Sequence, residues 1–460
     1  MFLIIAAIAT ALMLLLVLRA GNSLLHPAPL MLLAWLAGFG VTLAGLIDYE
    51  YEIMSQSTCL LIIVALAAFT FGSLLSLRIR IFPKRAEHES DVTSTVHQMM
   101  AVILLVGLAI YAVGIGTKWR SVARGGYSLS DARGQHWEQA EKRAHTPITL
   151  AMAVTRPCSI FLAFSLPLYW QRKSRLTFAS LFAFGLLVIE GLSVGGRSFM
   201  AYAIIGSFFT AVLLADRKYP WLFRSSYIVN LMVNWKTYAV GITLASVFYG
   251  FFVIFPVARN PRIVQHLDQY IHIHLGTGTH ISPRVERLSE SLKRTDLRFF
   301  AYESRYLSSP LMRMNYLMNE TDARRWFFLG GNNFTLFSKV INLALQREGY
   351  SLKEVKRRIE ASQPYGQNPW ICGLMDVVVD FGLAGSIIFM ILFGWLSSSF
   401  YHAMLSTGDQ ERFVIQALLC ICIVSFPFTS RFPSNVITLT SLMSLGLIAI
   451  RYVSLDMKQA

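Results

Sequence analysis

Runs of about twenty consecutive apolar residues recur from one end of this chain to the other, a pattern that points to a membrane rather than a soluble core. A helix crossing about 30 Å of hydrocarbon needs roughly that many residues. About eleven such stretches can be drawn. They fall at 2–18, 28–47, 59–77, 99–117, 147–169, 176–194, 199–215, 238–257, 376–400, 413–429 and 436–453. Composition agrees: 55% of the 460 residues are hydrophobic and 15% are charged, where a soluble domain carries roughly 25% charged. The fold class expected is all-α, a polytopic helical bundle. Met1 to Leu18 lacks a basic leading segment and a small-residue cleavage site, so it reads as a retained first helix.

One interruption divides the chain. From about Arg259 to Trp370 the sequence turns polar. Three segments follow: 1–257 with eight helices and a loop at 118–146, 258–375 as a large loop, and 376–460 with three helices. Orientation comes from the short loops. Arg78, Arg80, Lys84 and Arg85, then Arg172, Lys173 and Arg175, then Arg217, Lys218, Arg224 and Lys236 alternate so as to share the cytoplasmic side. The opposing loop 48–58 has Asp48, Glu50 and Glu52 and no Lys or Arg. The N-terminus is therefore expected outside, the C-terminus inside, and 259–370 outside. Trp221 to Trp235 reads as an interfacial helix on the inner leaflet. Within the large loop, Leu288, Leu292, Phe299, Phe300, Leu336, Phe337, Val340 and Ile341 recur at helical spacing, which predicts short amphipathic helices roofing the bundle. The stretch 351–361 is expected to be exposed.

The net charge of +15 is scattered between apolar segments, with no basic run or RNA-binding aromatic motif, which argues against nucleic acid. Cys59, Cys158, Cys372, Cys420 and Cys422 form neither a disulfide framework nor a CxxC motif.

The outward arginines are the first candidates for chemistry. The loop 118–146 breaks the charge rule with Lys118, Arg120, Arg124, Arg133, Lys142 and Arg143. Arginine grips phosphate with a bidentate fork, so an anionic ligand is one reading and solvated or lipid-bound cations the other. Arg259 and Arg262 stand where the large loop begins, and Arg305 lies within it. Arg197 follows Gly195 and Gly196 in a very short turn; it either meets a ligand or snorkels to water.

Arg156 and Glu190 lie inside apolar stretches, where charges face a cavity or each other. They either pair, or Arg156 reaches toward a phosphate. Asp376 and Asp380, four residues apart, share a helix face. They are candidates for a general base or simply suit a helix N-terminus. His266, His272, His274 and His280, and His136 and His145, lack a metal-binding pattern. A nucleophile elbow, a phosphate-binding Walker loop and a dinucleotide fingerprint are absent from the sequence.

Four stretches carry a family resemblance: Leu192-Ser193-Val194-Gly195-Gly196-Arg197-Ser198, Tyr306-Leu307-Ser308-Ser309-Pro310-Leu311, Gly330-Gly331-Asn332-Asn333-Phe334-Thr335, and Asp380-Phe381-Gly382-Leu383-Ala384-Gly385. With about eleven helices and a long outward loop before the last three, the chain resembles the Wzy-type O-antigen and capsule polymerases. The resemblance implies a bacterial inner-membrane, inverting glycosyltransferase of the C-type membrane class. It implies transfer of a growing glycan from undecaprenyl pyrophosphate to a lipid-linked repeat unit at the periplasmic face, with no metal, nucleotide sugar or other cofactor. It implies periplasmic arginines as functional residues, which favours Arg197 over the aspartates, and a chain-length regulator and a flippase as partners. An O-antigen ligase would use the same donor but lipid A as acceptor. A transporter would need polar groups along the whole depth of a central path, whereas the charges here gather on one face.

Overall fold

The computed structural model describes residues 1–20, 22–49, 53–79, 93–124, 147–193, 198–220, 223, 267, 279–320, 372–428 and 435–459. The expected stretch 238–257, the interfacial segment Trp221 to Trp235 apart from Phe223, and the positions Leu336 to Ile341 and 351–361 lie outside them. Among the described residues the chain is mostly helical. Six helices are long and apolar enough to cross a membrane by length and composition, and three more are shorter and apolar. Their outer faces carry large apolar side chains such as Ile8, Leu60, Phe71 and Val113, with Phe178 81% exposed. Hydrocarbon suits such faces and water does not.

The chain folds as two compact units, each discontinuous in sequence. The first comprises residues 1–79, 221–398 and 422–433. It begins with α1 (Phe2–Arg19), α2 (Pro27–Leu43) and, after the short strand β1 (Ile47–Tyr49), α3 (Gln56–Leu75). These three helices pack on one another. The apolar run expected to reach 47 stops four residues earlier. Gly45 adopts a left-handed conformation (φ 57°), which ends the helix and turns Ile47 into a strand.

β1 pairs antiparallel with β2 (Thr279–Ile281), Ile47 opposite Ile281 and Tyr49 opposite Thr279. The two outward-assigned loops are therefore joined by backbone hydrogen bonds. Two helices follow β2: α8 (Pro283–Ser291) and α9 (Thr295–Glu320). Ile47, Leu267, Ile281, Phe299, Ala301 and Tyr302 bury a small core between strands and helix. The expectation of short helices needs correction, because α9 runs 26 residues and packs on α2 and α3. Leu288 and Leu292 are exposed and Phe300 is partly so, while Phe299 is buried. The helical spacing of α8 is right, and Val285 packs against this core while Leu288 stays exposed.

α9 is fixed to α3 by a polar cluster. Ser55 caps α3, its side chain accepting from the Thr58 N–H. Asn315 Oδ1 accepts from the Ser55 N–H at 2.8 Å and from the Thr58 hydroxyl at 2.8 Å. Asn319 Nδ2 donates to Ser55 Oγ at 2.8 Å. The last element of this unit is the first part of α10 (Gly373–Thr407). Gly72 of α3 and Gly394 of α10 each lie against the other helix's backbone, where a Cβ would overlap it. Ser73 and Ser398 hydrogen-bond beside that crossing. Small residues permit such close approach in membrane helices.

The second unit comprises residues 80–220, 399–421 and 434–460. Its helices are α4 (Thr93–Arg124), α5 (Pro147–Gln171), α6 (Leu176–Ser193), α7 (Ser198–Lys218), the end of α10, most of α11 (Gln410–Ser425) and α12 (Asn435–Gln459). α5 touches α4, α6, α7 and α12, and its residues Ile160 to Phe164 are buried in an unbroken run. Such all-round burial marks a central helix. Gly107 and Gly114 of α4 lie against Cys158 and Met152, and Gly206 of α7 against Phe164. The basic segment expected to be a loop from 118 starts as helix: α4 continues to Arg124.

Candidate functional site

Two arrangements gather candidate residues, one in each unit. In the first, α10 is broken. Gly382 has φ 68° and ψ −179° inside what otherwise runs as one helix. That region is essentially restricted to glycine. The segment before it, Cys372 to Asp380, is buried except at Asp376, which is partly exposed. Its start is fixed by the Gly373 N–H donating to the Phe426 carbonyl at 2.8 Å, and a side chain at 373 would press on the Phe426 ring.

The Asp-Phe-Gly-Leu-Ala-Gly stretch thus acquires a physical reading. Asp380 closes the buried segment and is 0% exposed. Gly382 supplies the turn. Gly385 makes room for Phe381, whose β-carbon would collide with a side chain at 385. Across the break Phe381 stacks on Phe389 at 5.6 Å, and the aromatic row continues through Phe393 to Phe426 and Phe69. Asp376 and Asp380 both lie in the segment before the break, but their surroundings differ. Asp376 stands in the first turn, where an acidic residue suits the helix N-terminus, and it reaches the surface. Asp380 lies in the interior at the break.

A Cβ on Gly382 would meet nothing within 4 Å, so its cost would come from the backbone alone. Gly382→Ala is expected to destabilise by about 1–3 kcal/mol, read as a lowered thermal midpoint of the purified protein.

In the second unit, Arg156 of α5 and Glu190 of α6 form an ion pair, Arg156 Nη2 donating to Glu190 Oε1 at 2.8 Å. The Tyr111 hydroxyl of α4 donates to Glu190 Oε2. The Arg156 guanidinium also lies 4.5 Å from the Phe199 ring of α7, a cation–π contact. Four helices therefore meet on one charge pair, whose side chains are 18% and 1% exposed. Of the two readings of Arg156, the pairing is the one present. Tyr111 escaped sequence reasoning, since a tyrosine in an apolar run gives no signal of its own.

The other candidates are scattered. Arg120 is exposed near the end of α4, whose last residue is Arg124. Arg305 falls within α9. Arg133, Arg197, Arg259 and Arg262 lie outside the described residues, as do His136, His145, His266, His272 and His274. His280 is on β2, opposite Asp48. Among the described residues no group of three or more His, Cys, Asp or Glu could hold a metal ion.

No family model, curated protein or solved structure matches this chain. The family-resembling stretches are consequently read from their own geometry. The stretch Tyr306 to Leu311 lies in mid-α9, where Ser308 Oγ and the Tyr49 hydroxyl hydrogen-bond at 2.6 Å. Around it Glu303, Ser304, Ser309, Arg313 and Asn315 are all buried. Sequence reasoning missed this polar interior. Its signal was a serine- and arginine-bearing segment with enough helical periodicity to be covered.

Proposed function

We propose that this chain is a polysaccharide repeat-unit polymerase of the bacterial inner membrane, transferring a growing glycan from undecaprenyl pyrophosphate to a lipid-linked repeat unit. The observation that carries the reading is the break at Gly382. One of the stretches that resembles the polymerases coincides with a helix interruption beside two carboxylates, and its glycines have defined roles there. Irregular backbone inside apolar helices is tolerated where it is buried in protein or lines a cavity.

In the proposed reaction an acceptor sugar hydroxyl attacks the donor's anomeric carbon. The bond from that carbon to the pyrophosphate oxygen breaks, with inversion. The hydroxyl proton goes to a carboxylate, for which Asp376 is the more accessible candidate. Undecaprenyl pyrophosphate leaves with its developing charge met by arginine. Arg197 is assigned that task from sequence, with Arg120, Arg124, Arg133, Arg156, Arg259 and Arg305 as further cations.

The test is incubation of the purified full-length protein with undecaprenyl-pyrophosphate-linked repeat units, reading glycan length. A ladder of polymers is expected; product no longer than the starting repeat sinks the reading. Transfer to lipid A instead would assign a ligase. Arg197→Ala should lower the rate on the order of 100- to 1000-fold, as for loss of one preorganised donor. Arg197→Lys keeps charge but loses the fork and should be impaired less.

The topology proposed puts the N-terminus and residues 259–370 in the periplasm and the C-terminus in the cytoplasm. Pairing of β1 with β2 requires their two loops to share a side. With the native cysteines replaced, Glu320→Cys should react with an impermeant maleimide on cells whose outer membrane alone is permeabilised. Lys173→Cys should react only after the inner membrane is opened. The reverse pattern would invert the scheme.

A further inference from the structure

At one end of the second unit α5, α7 and α10 finish and α6 and α11 begin. Gly408 ends α10 in a left-handed conformation (φ 70°), and the Arg217 guanidinium occupies the space where a side chain at 408 would stand. Arg217 Nε donates to the Leu405 carbonyl at 3.2 Å and Arg172 Nη2 to the Gly408 carbonyl at 3.5 Å. Two cations therefore close a helix C-terminus, as its dipole favours. Each guanidinium has five N–H donors, and both residues remain exposed.

Charge at this end is sorted by depth. Asp216 is buried and accepts from the Tyr401 hydroxyl at 2.5 Å. Glu411 is buried, and Asp409 sits 3.6 Å from the buried Arg412. The bases face outward: Arg172, Lys173, Arg175, Arg217 and Lys218 are all exposed. Beside them stand exposed Trp170 and Phe178, and Tyr219, whose ring lies 5.3 Å from Lys218 Nζ. Aromatic residues next to lysine and arginine mark the depth where acyl chain gives way to headgroup.

We propose that this rim binds the headgroups of anionic phospholipids. The inference rests on the chain spanning a bilayer and not on glycosyl transfer. The acids that would neutralise the cations are turned inward, the exposed cations come from the α5–α6 turn and the end of α7, and apolar side chains flank them where acyl chains would lie. A lipid phosphate bridging the rim satisfies guanidinium donors that the α10 carbonyls do not use. Basic clusters of this kind between membrane helices recognise anionic lipid at roughly fivefold per cation.

The test uses the purified full-length protein in neutral detergent, titrated with short-chain phosphatidylglycerol, phosphatidylcholine or free glycerol phosphate, with binding read by native mass spectrometry. Phosphatidylglycerol is expected to bind at least about tenfold more tightly than phosphatidylcholine, and less so at high salt. The variant Lys173→Asn, Arg175→Gln, Lys218→Gln spares both capping arginines and places at 173 a residue that tolerates its positive φ of 49°. It should bind phosphatidylglycerol on the order of 100-fold more weakly, with its lipid-free thermal midpoint unchanged. Arg175→Gln alone, the milder variant, should weaken binding about fivefold. Equal binding of the two lipids, or full phosphatidylglycerol affinity in these variants, overturns the proposal. Equally tight binding of glycerol phosphate would also overturn it, assigning the rim to a free phosphate.

Discussion

Asp376→Asn is expected to slow the proposed glycan polymerisation by about 100- to 10,000-fold, the range of a positioned general base, while leaving the folded protein at wild-type level. Asparagine keeps the shape of the side chain and removes its capacity to take a proton. Asp376 is the member of the pair that reaches the surface, one turn before the buried Asp380. Asp380→Asn should behave differently. A buried carboxylate is tolerated when its hydrogen bonds are made, so this change should lower stability by about 1–3 kcal/mol as well as any activity. The measurements are transfer rate per folded molecule and thermal midpoint, taken on both variants. Full activity in Asp376→Asn would remove that carboxylate from the reaction, and an unchanged midpoint in Asp380→Asn would contradict its structural burden.

Glu190→Gln should destabilise the protein by about 3 kcal/mol, the lower end for breaking a buried charge pair, because the Arg156 side chain keeps 18% of its surface exposed. Without Glu190 the guanidinium keeps, among the described residues, the Phe199 and Tyr111 rings nearby, which do not replace a counter-charge. The triple variant Tyr111→Phe, Arg156→Met, Glu190→Leu removes donor, cation and acceptor together. It should recover most of the loss, since buried ion pairs replaced by apolar groups of similar size are often neutral or better. Thermal midpoint and the monodisperse fraction in detergent measure both. If the triple variant is as unstable as Glu190→Gln, the pair is not the helix lock described. If it folds and polymerises at the wild-type rate, Arg156 has no share in binding the donor phosphates.

The apolar runs were legible because a bilayer demands them, and α1, α3, α5 and α7 begin and end within a few residues of where hydropathy puts them. Their limits were less so, because single residues decide them. Gly45 ends α2 before its apolar run is finished, and nothing in hydropathy halts α4 before Arg124. The complementary charges of Arg156 and Glu190 announced their pairing, whereas the tyrosine that completes it was indistinguishable from any other aromatic in a span. The polar segment holding α9 read as short helices roofing the bundle. A helix whose buried face mixes serines, asparagine and arginine with Phe299, Tyr302, Leu311 and Met314 shows only a diluted apolar stripe, and Pro310 further obscures its length. The two glycines of Asp380 to Gly385 were visible as a motif, but their separate tasks, a backbone turn and clearance for Phe381, exist only in three dimensions.

The hydrogen bond between Tyr49 and Ser308 spans 259 residues of sequence. At about 5–20 residues per second, α3 would leave the ribosome roughly 10 to 50 s before the segment that completes it. Throughout that interval β1 has no partner strand, and the Ser55 N–H lacks the asparagine that later accepts it. The first unit is therefore assembled in two instalments. Its first three helices must persist on the packing of α1, α2 and α3 alone until residues 279–320 arrive, which makes maturation of this protein a late event in its own synthesis.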